Sequence, residues 1–245
     1  MRVLLGLAVA TVMGFTSVAA QAGSVTYSAF FPGGNGPATS DQPQSFATTD
    51  WDGTTQSVSV PQFNTSLGTL TSIGLTLYGN VTSTGSLTNT GGDTATITAY
   101  DATVHVRILA PGSVTQATPG NLNTPFLLET SPVLVSIPSQ DLAVGESISF
   151  GTPNAVNTSE TQSTTLSSGF APFVGAGNVT FPLGAFTQTL ADFTGGNLAL
   201  SQTTGARALV SVTYNYDTVA VPEPASMAVL GMGLFGAGLL RRRRG

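Results

Sequence analysis

Ala208-Leu209-Val210-Ser211-Val212-Thr213-Tyr214-Asn215-Tyr216 decides the fold. Read with a period of two, it sets Ala208, Val210, Val212, Tyr214 and Tyr216 on one face, the signature of a strand with one apolar side. The pattern recurs upstream. Ile73, Leu75 and Leu77 share a face, with Gly74, Thr76 and Tyr78 opposite. Val104, Val106 and Ile108 share another, which turns Thr103, His105 and Arg107 outward toward water. Shorter strands are expected at Ser24 to Phe30, Ser57 to Val60, Ala95 to Tyr100, Pro132 to Ile137 and Ser147 to Phe150. Turn signals separate them: Gly33-Gly34-Asn35-Gly36, Gly91-Gly92-Asp93, Pro111-Gly112, Pro119-Gly120-Asn121 and Gly195-Gly196-Asn197. No stretch between residues 23 and 218 carries a sustained helical period, and the Val and Thr that dominate the runs are stiff at χ1 and suit a pleated surface. Short antiparallel strands with one apolar face each bury those faces best as two packed sheets. The expected fold is all-β: a single antiparallel β-sandwich, jelly-roll-like, over residues 23–218.

Composition agrees with that class and narrows the function. The chain has 245 residues, 41% of them hydrophobic and only 8% charged. That is apolar enough for a core, with far fewer charges than the usual quarter. There is no lysine. Between residues 23 and 221, Arg107 and Arg207 stand against eleven carboxylates, a net charge of −9. Nucleic acid is excluded as a partner, because phosphate binding draws its affinity from clustered basic residues. Cysteine is absent, which excludes thiol catalysis and Cys-ligated metal centres and leaves stability to core burial.

The two ends carry addresses. Arg2, the apolar run Val3 to Val18 and the small residues of Ala20-Gln21-Ala22 read as a signal peptide over residues 1–22. Cleavage is expected after Ala22, with Ala20 as the alternative, and the Sec machinery and signal peptidase as partners. At the other end, over residues 219–245, Pro222-Glu223-Pro224 precedes an uncharged span, Ala225 to Leu240, and then Arg241, Arg242, Arg243 and Arg244. Sixteen helical residues reach about 24 Å, short of the ~30 Å hydrocarbon core. A membrane-spanning helix of this length is tolerable if the arginines snorkel and the bilayer thins. The arginines orient it by the positive-inside rule, with the main domain outside. Pro222 and Pro224 lack N–H groups and fix φ, which keeps the Glu223 segment extended and open to an enzyme.

Val221-Pro222-Glu223-Pro224-Ala225-Ser226, the Gly-rich apolar span and the arginine cluster resemble the PEP-CTERM sorting domain of Gram-negative bacteria. The resemblance implies exosortase as partner. It also implies cleavage near Pro222-Glu223-Pro224, an inner-membrane precursor with a periplasmic domain, and delivery to the cell surface or an exopolysaccharide biofilm matrix. A second stretch, Val60-Pro61-Gln62-Phe63-Asn64-Thr65-Ser66-Leu67-Gly68-Thr69-Leu70-Thr71-Ser72-Ile73, resembles the opening of the choice-of-anchor E domain. That resemblance implies an exported β-rich domain with no enzymatic activity attached. On physical grounds alone, Phe63 and Leu67 would anchor a corner there and Gly68 would permit the turn into the next strand.

Chemistry is sparse. His105 is the only histidine and reads as a solvated strand residue. A lone histidine makes neither a triad nor a zinc site by itself, and no Gly-x-Ser-x-Gly elbow occurs. No catalytic residue, metal or cofactor is expected. Asp50, Trp51 and Asp52 form the one candidate ligand site. Trp51 could stack on a sugar, and Asp50-x-Asp52-Gly53 offers oxygens at alternate positions as calcium loops do, without the rest of such a loop. Paired aspartates could also serve a glycosidase. The blander reading makes Trp51 a core cover and the aspartates turn formers. The leading expectation is a non-enzymatic structural or adhesive protein of an exopolysaccharide matrix. A lectin-like carbohydrate- or calcium-binding module comes second and an aspartate hydrolase third.

Overall fold

The computed structural model describes residues 21–35, 45–112, 126–151, 156–218 and 231–234. The first strand pairs are β1 (Ala22–Phe31) with β2 (Gly34–Asn35), and β3 (Ala47–Thr48) leading into β4 (Trp51–Pro61). The long strands β5 (Gly68–Asn89) and β6 (Ala95–Ile108) follow. Four short strands come next: β7 (Leu128–Thr130), β8 (Val133–Ile137), β9 (Gln140–Leu142) and β10 (Ser147–Phe150). The series closes with β11 (Val156–Leu166), β12 (Asn178–Thr194) and β13 (Leu198–Thr218). All the strand pairs are antiparallel and fall into two sheets. One runs β10-β5-β13-β1-β2, with β11 also on β5 and β3 also on β13. The other runs β4-β12-β6-β7, with β8 and β9 also on β6.

Alternation drives the packing. Ile73, Leu75 and Leu77 of β5 and Val210, Val212 and Tyr214 of β13 are fully buried. They join Val104, Val106 and Ile108 of β6 and Phe181, Leu183 and Ala185 of β12 in one core. Two tyrosine hydroxyls within the core find partners across the gap. The Tyr214 hydroxyl donates to the Pro61 carbonyl at 3.0 Å, and the Tyr100 hydroxyl to Gln202 Oε1 at 3.0 Å. Trp51 is seated against Phe31 in a T-shaped contact, with ring centroids 4.9 Å apart.

Several expectations need correction. The runs at Ala95 to Tyr100 and from Thr103 onward are one continuous strand, β6. The first strand begins at Ala22, which pairs with Asp217. β11 and β12 have no counterpart among the expected strands. The corner after β4 forms, but differently: Phe63 is buried and bridges to Val174, while Leu67 is 39% exposed and anchors nothing. Asn64 holds the corner, its Oδ1 accepting from Ser66 N–H at 3.0 Å to cap a short 3₁₀ turn, Thr65–Leu67.

Candidate functional site

The polar face of β6 is not a solvated one. Arg107 is 3% exposed, and the His105 side chain retains only 12% of its exposure. Both point away from the core, so something else must cover them. On one side β7 sets Glu129 opposite Arg107. On the other, β12 sets Phe186 opposite His105 and Gly184 opposite Arg107. Gly184 has no side chain, which leaves the guanidinium room to lie flat. Its Cζ sits 4.8 Å from the ring centroids of both Phe126 and Phe186. His105 stacks on Phe186 at 4.7 Å with 11° between the planes.

Glu129 joins Arg107 and His105. One carboxylate oxygen accepts from Arg107 Nε. The other meets His105 Nδ1 at 2.5 Å and accepts from the Ser131 hydroxyl at 2.8 Å. A carboxylate oxygen only accepts, so His105 carries its hydrogen on Nδ1. Burial alone would raise the Glu129 carboxyl. The hydrogen bonds from His105, Arg107 and Ser131, with the charge of Arg107, outweigh it and hold the group down at about 2. The Ser131 N–H donates in turn to Glu160 Oε2 at 2.7 Å, which ties this face to β11 of the opposite sheet.

Ser131, His105 and Glu129 have the composition of a triad and the wrong wiring. A triad places the nucleophile on one imidazole nitrogen and the acid on the other. Here Ser131 Oγ and Glu129 Oε1 both meet Nδ1, at 3.0 and 2.5 Å, while Nε2 faces Gln188 Oε1 at 3.1 Å. The hydroxyl proton goes to the acid and no base is free to take it. The arrangement can hold charge in a low-polarity seat; it has no relay.

The residues singled out in the sequence lie elsewhere. Asp50 is exposed at a turn with φ of +80°, and its N–H donates to the Ala185 carbonyl at 2.8 Å. Trp51 is 2% exposed, with its indole N–H on the Thr48 carbonyl at 2.7 Å, so sugar stacking would require the ring to leave that seat. Asp52 pairs with Gly184 through the backbone; its side chain lies outside the described residues. Among the described residues, no three of His, Cys, Asp and Glu gather as a metal site. Ala20, Pro222, Glu223, Pro224 and Arg241 to Arg244 lie outside the described residues, as does all of the span except residues 231–234, which are helical. No helix among the described residues is long and apolar enough to cross a membrane.

Residues 220–244 match the model of the PEP-CTERM protein-sorting motif. That motif supports an exported protein with exosortase as its sorting partner. No curated protein matches the chain. Two solved chains with some likeness come from the Salmonella SPI-1 type III secretion injectisome. One is the secretin InvG; the other belongs to the basal body of InvG, PrgH and PrgK. Each is 9% identical, covers 69% of this chain and has a TM-score of 0.12; the match covers 71% and 50% of their respective lengths. A likeness that slight carries no argument.

Proposed function

We propose that the sandwich is the cargo and the tail its address: a non-enzymatic surface protein that serves a structural or adhesive role in an exopolysaccharide matrix. The observation that carries this is the sorting motif at residues 220–244 behind a charge-poor sandwich whose outer face is laddered with hydroxyls. Thr26 pairs with Thr213 and Ser28 with Ser211, both at 2.8 Å. Thr76 pairs with Ser163 at 2.9 Å and Thr88 with Ser147 at 2.7 Å. Rows of hydroxyls repeat at about 4.8 Å between strands and roughly 6.8 Å along them, a surface that exchanges hydrogen bonds with sugar hydroxyls at little desolvation cost. We read the sheets as a jelly roll. The order β11-β5-β13-β1 facing β4-β12-β6-β8 supports it, with the chain crossing between the sheets from β4 to β5 and again from β5 to β6. We read the domain as a choice-of-anchor E domain on the resemblance of Val60 to Ile73, the stretch that leads β4 into β5.

The test is made in a matrix-forming host. Intact-mass analysis of the surface protein should show both ends trimmed, the C-terminal cut lying near Pro222-Glu223-Pro224. Glu223→Ala should leave a full-length form in the inner membrane, and normal maturation of that variant would overturn the sorting reading. Removing the gene should weaken the matrix. Glycan binding that vanishes with Trp51→Ala would instead favour a binding module, and turnover lost in Asp50→Asn or Asp52→Asn a hydrolase.

A further inference from the structure

β4 leaves β12 half-covered. Its register ends at Trp51↔Ala185, whereas β6 stays paired to β12 as far as Thr194. Beyond Ala185 one edge of β12 therefore has no strand paired to it among the described residues. Ala185 presents its carbonyl to that edge, where it accepts from Asp50 N–H. Backbone groups alternate along a strand, so Thr187, Thr189 and Ala191 present theirs to the same edge. Thr187 is crowded by Thr49, whose hydroxyl lies 3.4 Å from its own; Thr189 and Ala191 are exposed.

This edge carries few guards before the register of β12 on β6 shifts between Asp192 and Phe193. From Gln188 to Thr194 there is no Lys, Arg or Pro, and the one charge is Asp192. Leu190 stands 62% exposed at its centre. The side chains of Gln188, Leu190 and Asp192 alternate onto the outer face that Phe186 shares with His105.

We propose that this edge pairs antiparallel with the same edge of a second copy of the chain, with Leu190 on the two-fold axis. In that register Thr189 of each copy exchanges N–H···O bonds with Ala191 of the other. The two Leu190 side chains meet as a close non-hydrogen-bonded pair. Each Asp192 falls opposite a Gln188. The Gln188 side-chain amide carries N–H donors that can reach the carboxylate. The two Asp192 carboxylates stand four residues apart along the strands, roughly 13 Å, farther than the screening length of ~8 Å at physiological salt. The one charge on the edge thus gains a donor and escapes its twin. A closed two-fold contact of this kind joins two six-stranded sheets into one and leaves no edge there to propagate.

The chain's lack of cysteine makes the register directly testable. Full-length protein in mild detergent should sediment as a dimer, and Leu190→Cys should convert to a disulfide-linked dimer under mild oxidation. Leu67→Cys, exposed at another corner, should not. Leu190→Lys and Ala191→Pro should both abolish the dimer. The N–H lost at residue 191 faces the open edge, so the Pro variant should keep the circular dichroism and melting temperature of the parent. A parent that stays monomeric at every concentration, a dimer that survives in both variants, or a Leu190→Cys protein that does not cross-link would overturn the proposal.

Discussion

At the scale of the residue, Glu129 is the keystone of the polar face. It is the carboxylate that meets the buried Arg107, and removing one partner of a buried pair costs about 3–5 kcal/mol because the other charge is stranded. Glu129→Gln should therefore destabilise the fold by about 3 kcal/mol or more. The pH dependence has a definite sign. The folded carboxyl is held at about 2, below its ordinary 4.5, so its stabilisation is complete above 4.5 and is lost as pH falls from there toward 2. Denaturant midpoints taken across that window should drop in the parent and flatten in Glu129→Gln. Equal slopes in the two proteins would show that Glu129 does not titrate against this cluster. The sequence hid this arrangement for a plain reason. Alternation along β6 tells which face His105 and Arg107 occupy, but not what covers it. The cover comes from Phe126, Glu129, Ser131 and Phe186, brought in by β7 and β12 from distant parts of the chain. One signal was present: an arginine on a strand, with Arg207 the one other cation between residues 23 and 221 and eleven carboxylates around it, has to find a carboxylate if it is buried at all.

At the scale of the element, what could be read ahead followed burial on one face only. Ala208 to Tyr214 and Ile73 to Leu77 announced β13 and β5 because every second residue enters the core. β10 appeared with its bounds intact. β11 did not, since Thr, Ser, Glu and Gln fill it and leave no apolar alternation to read, although it pairs with β5 along its whole length. β12 carried the right alternation, Val179, Phe181, Leu183 and Ala185, but Pro182 interrupts it, and the register does shift there. Proline is tolerated in a strand where the ladder is already broken. The corner before β5 was legible in Gly68, and it makes a sharp prediction. Gly68 has φ of +149°, and a Cβ there would lie 2.0 Å from the Asp217 carbonyl oxygen. Asp217 is fixed by pairing with both Ala22 and Thr69, so it cannot yield. Gly68→Ala should cost about 2–4 kcal/mol. Gly92→Ala, where a Cβ meets nothing within 4 Å, should cost far less. Thermal melts that leave the two variants equal would remove the steric argument.

At the scale of the whole molecule, the first and last strands are neighbours. β1 runs along β13 from Ala22↔Asp217 to Phe31↔Ala208. Thr218 closes the pair, its N–H and its hydroxyl both donating to the Gln21 carbonyl at 2.9 Å. The sandwich therefore starts and stops at one corner, and the two segments read as processing signals join it there. β13 runs to Thr218, so the link to the motif at Pro222 begins only after it. Cleavage after Ala20 and cleavage at the motif should then be invisible to the core. A chain trimmed to residues 21–218 should melt within a degree or two of the full-length protein in the same detergent. A chain that starts at Tyr27 loses five rungs of the β1–β13 ladder, and with them the exclusion of water from Tyr214 and Val212. It should melt well below the parent, by on the order of 10 °C for a loss of several kcal/mol in a domain of this size. The choice of signal cut is read in the same experiment. Cleavage after Ala20 keeps the Gln21 carbonyl and both Thr218 bonds, whereas cleavage after Ala22 discards them. The first product should melt measurably higher than the second, and equal melting of the two would show that the corner is not closed through Gln21.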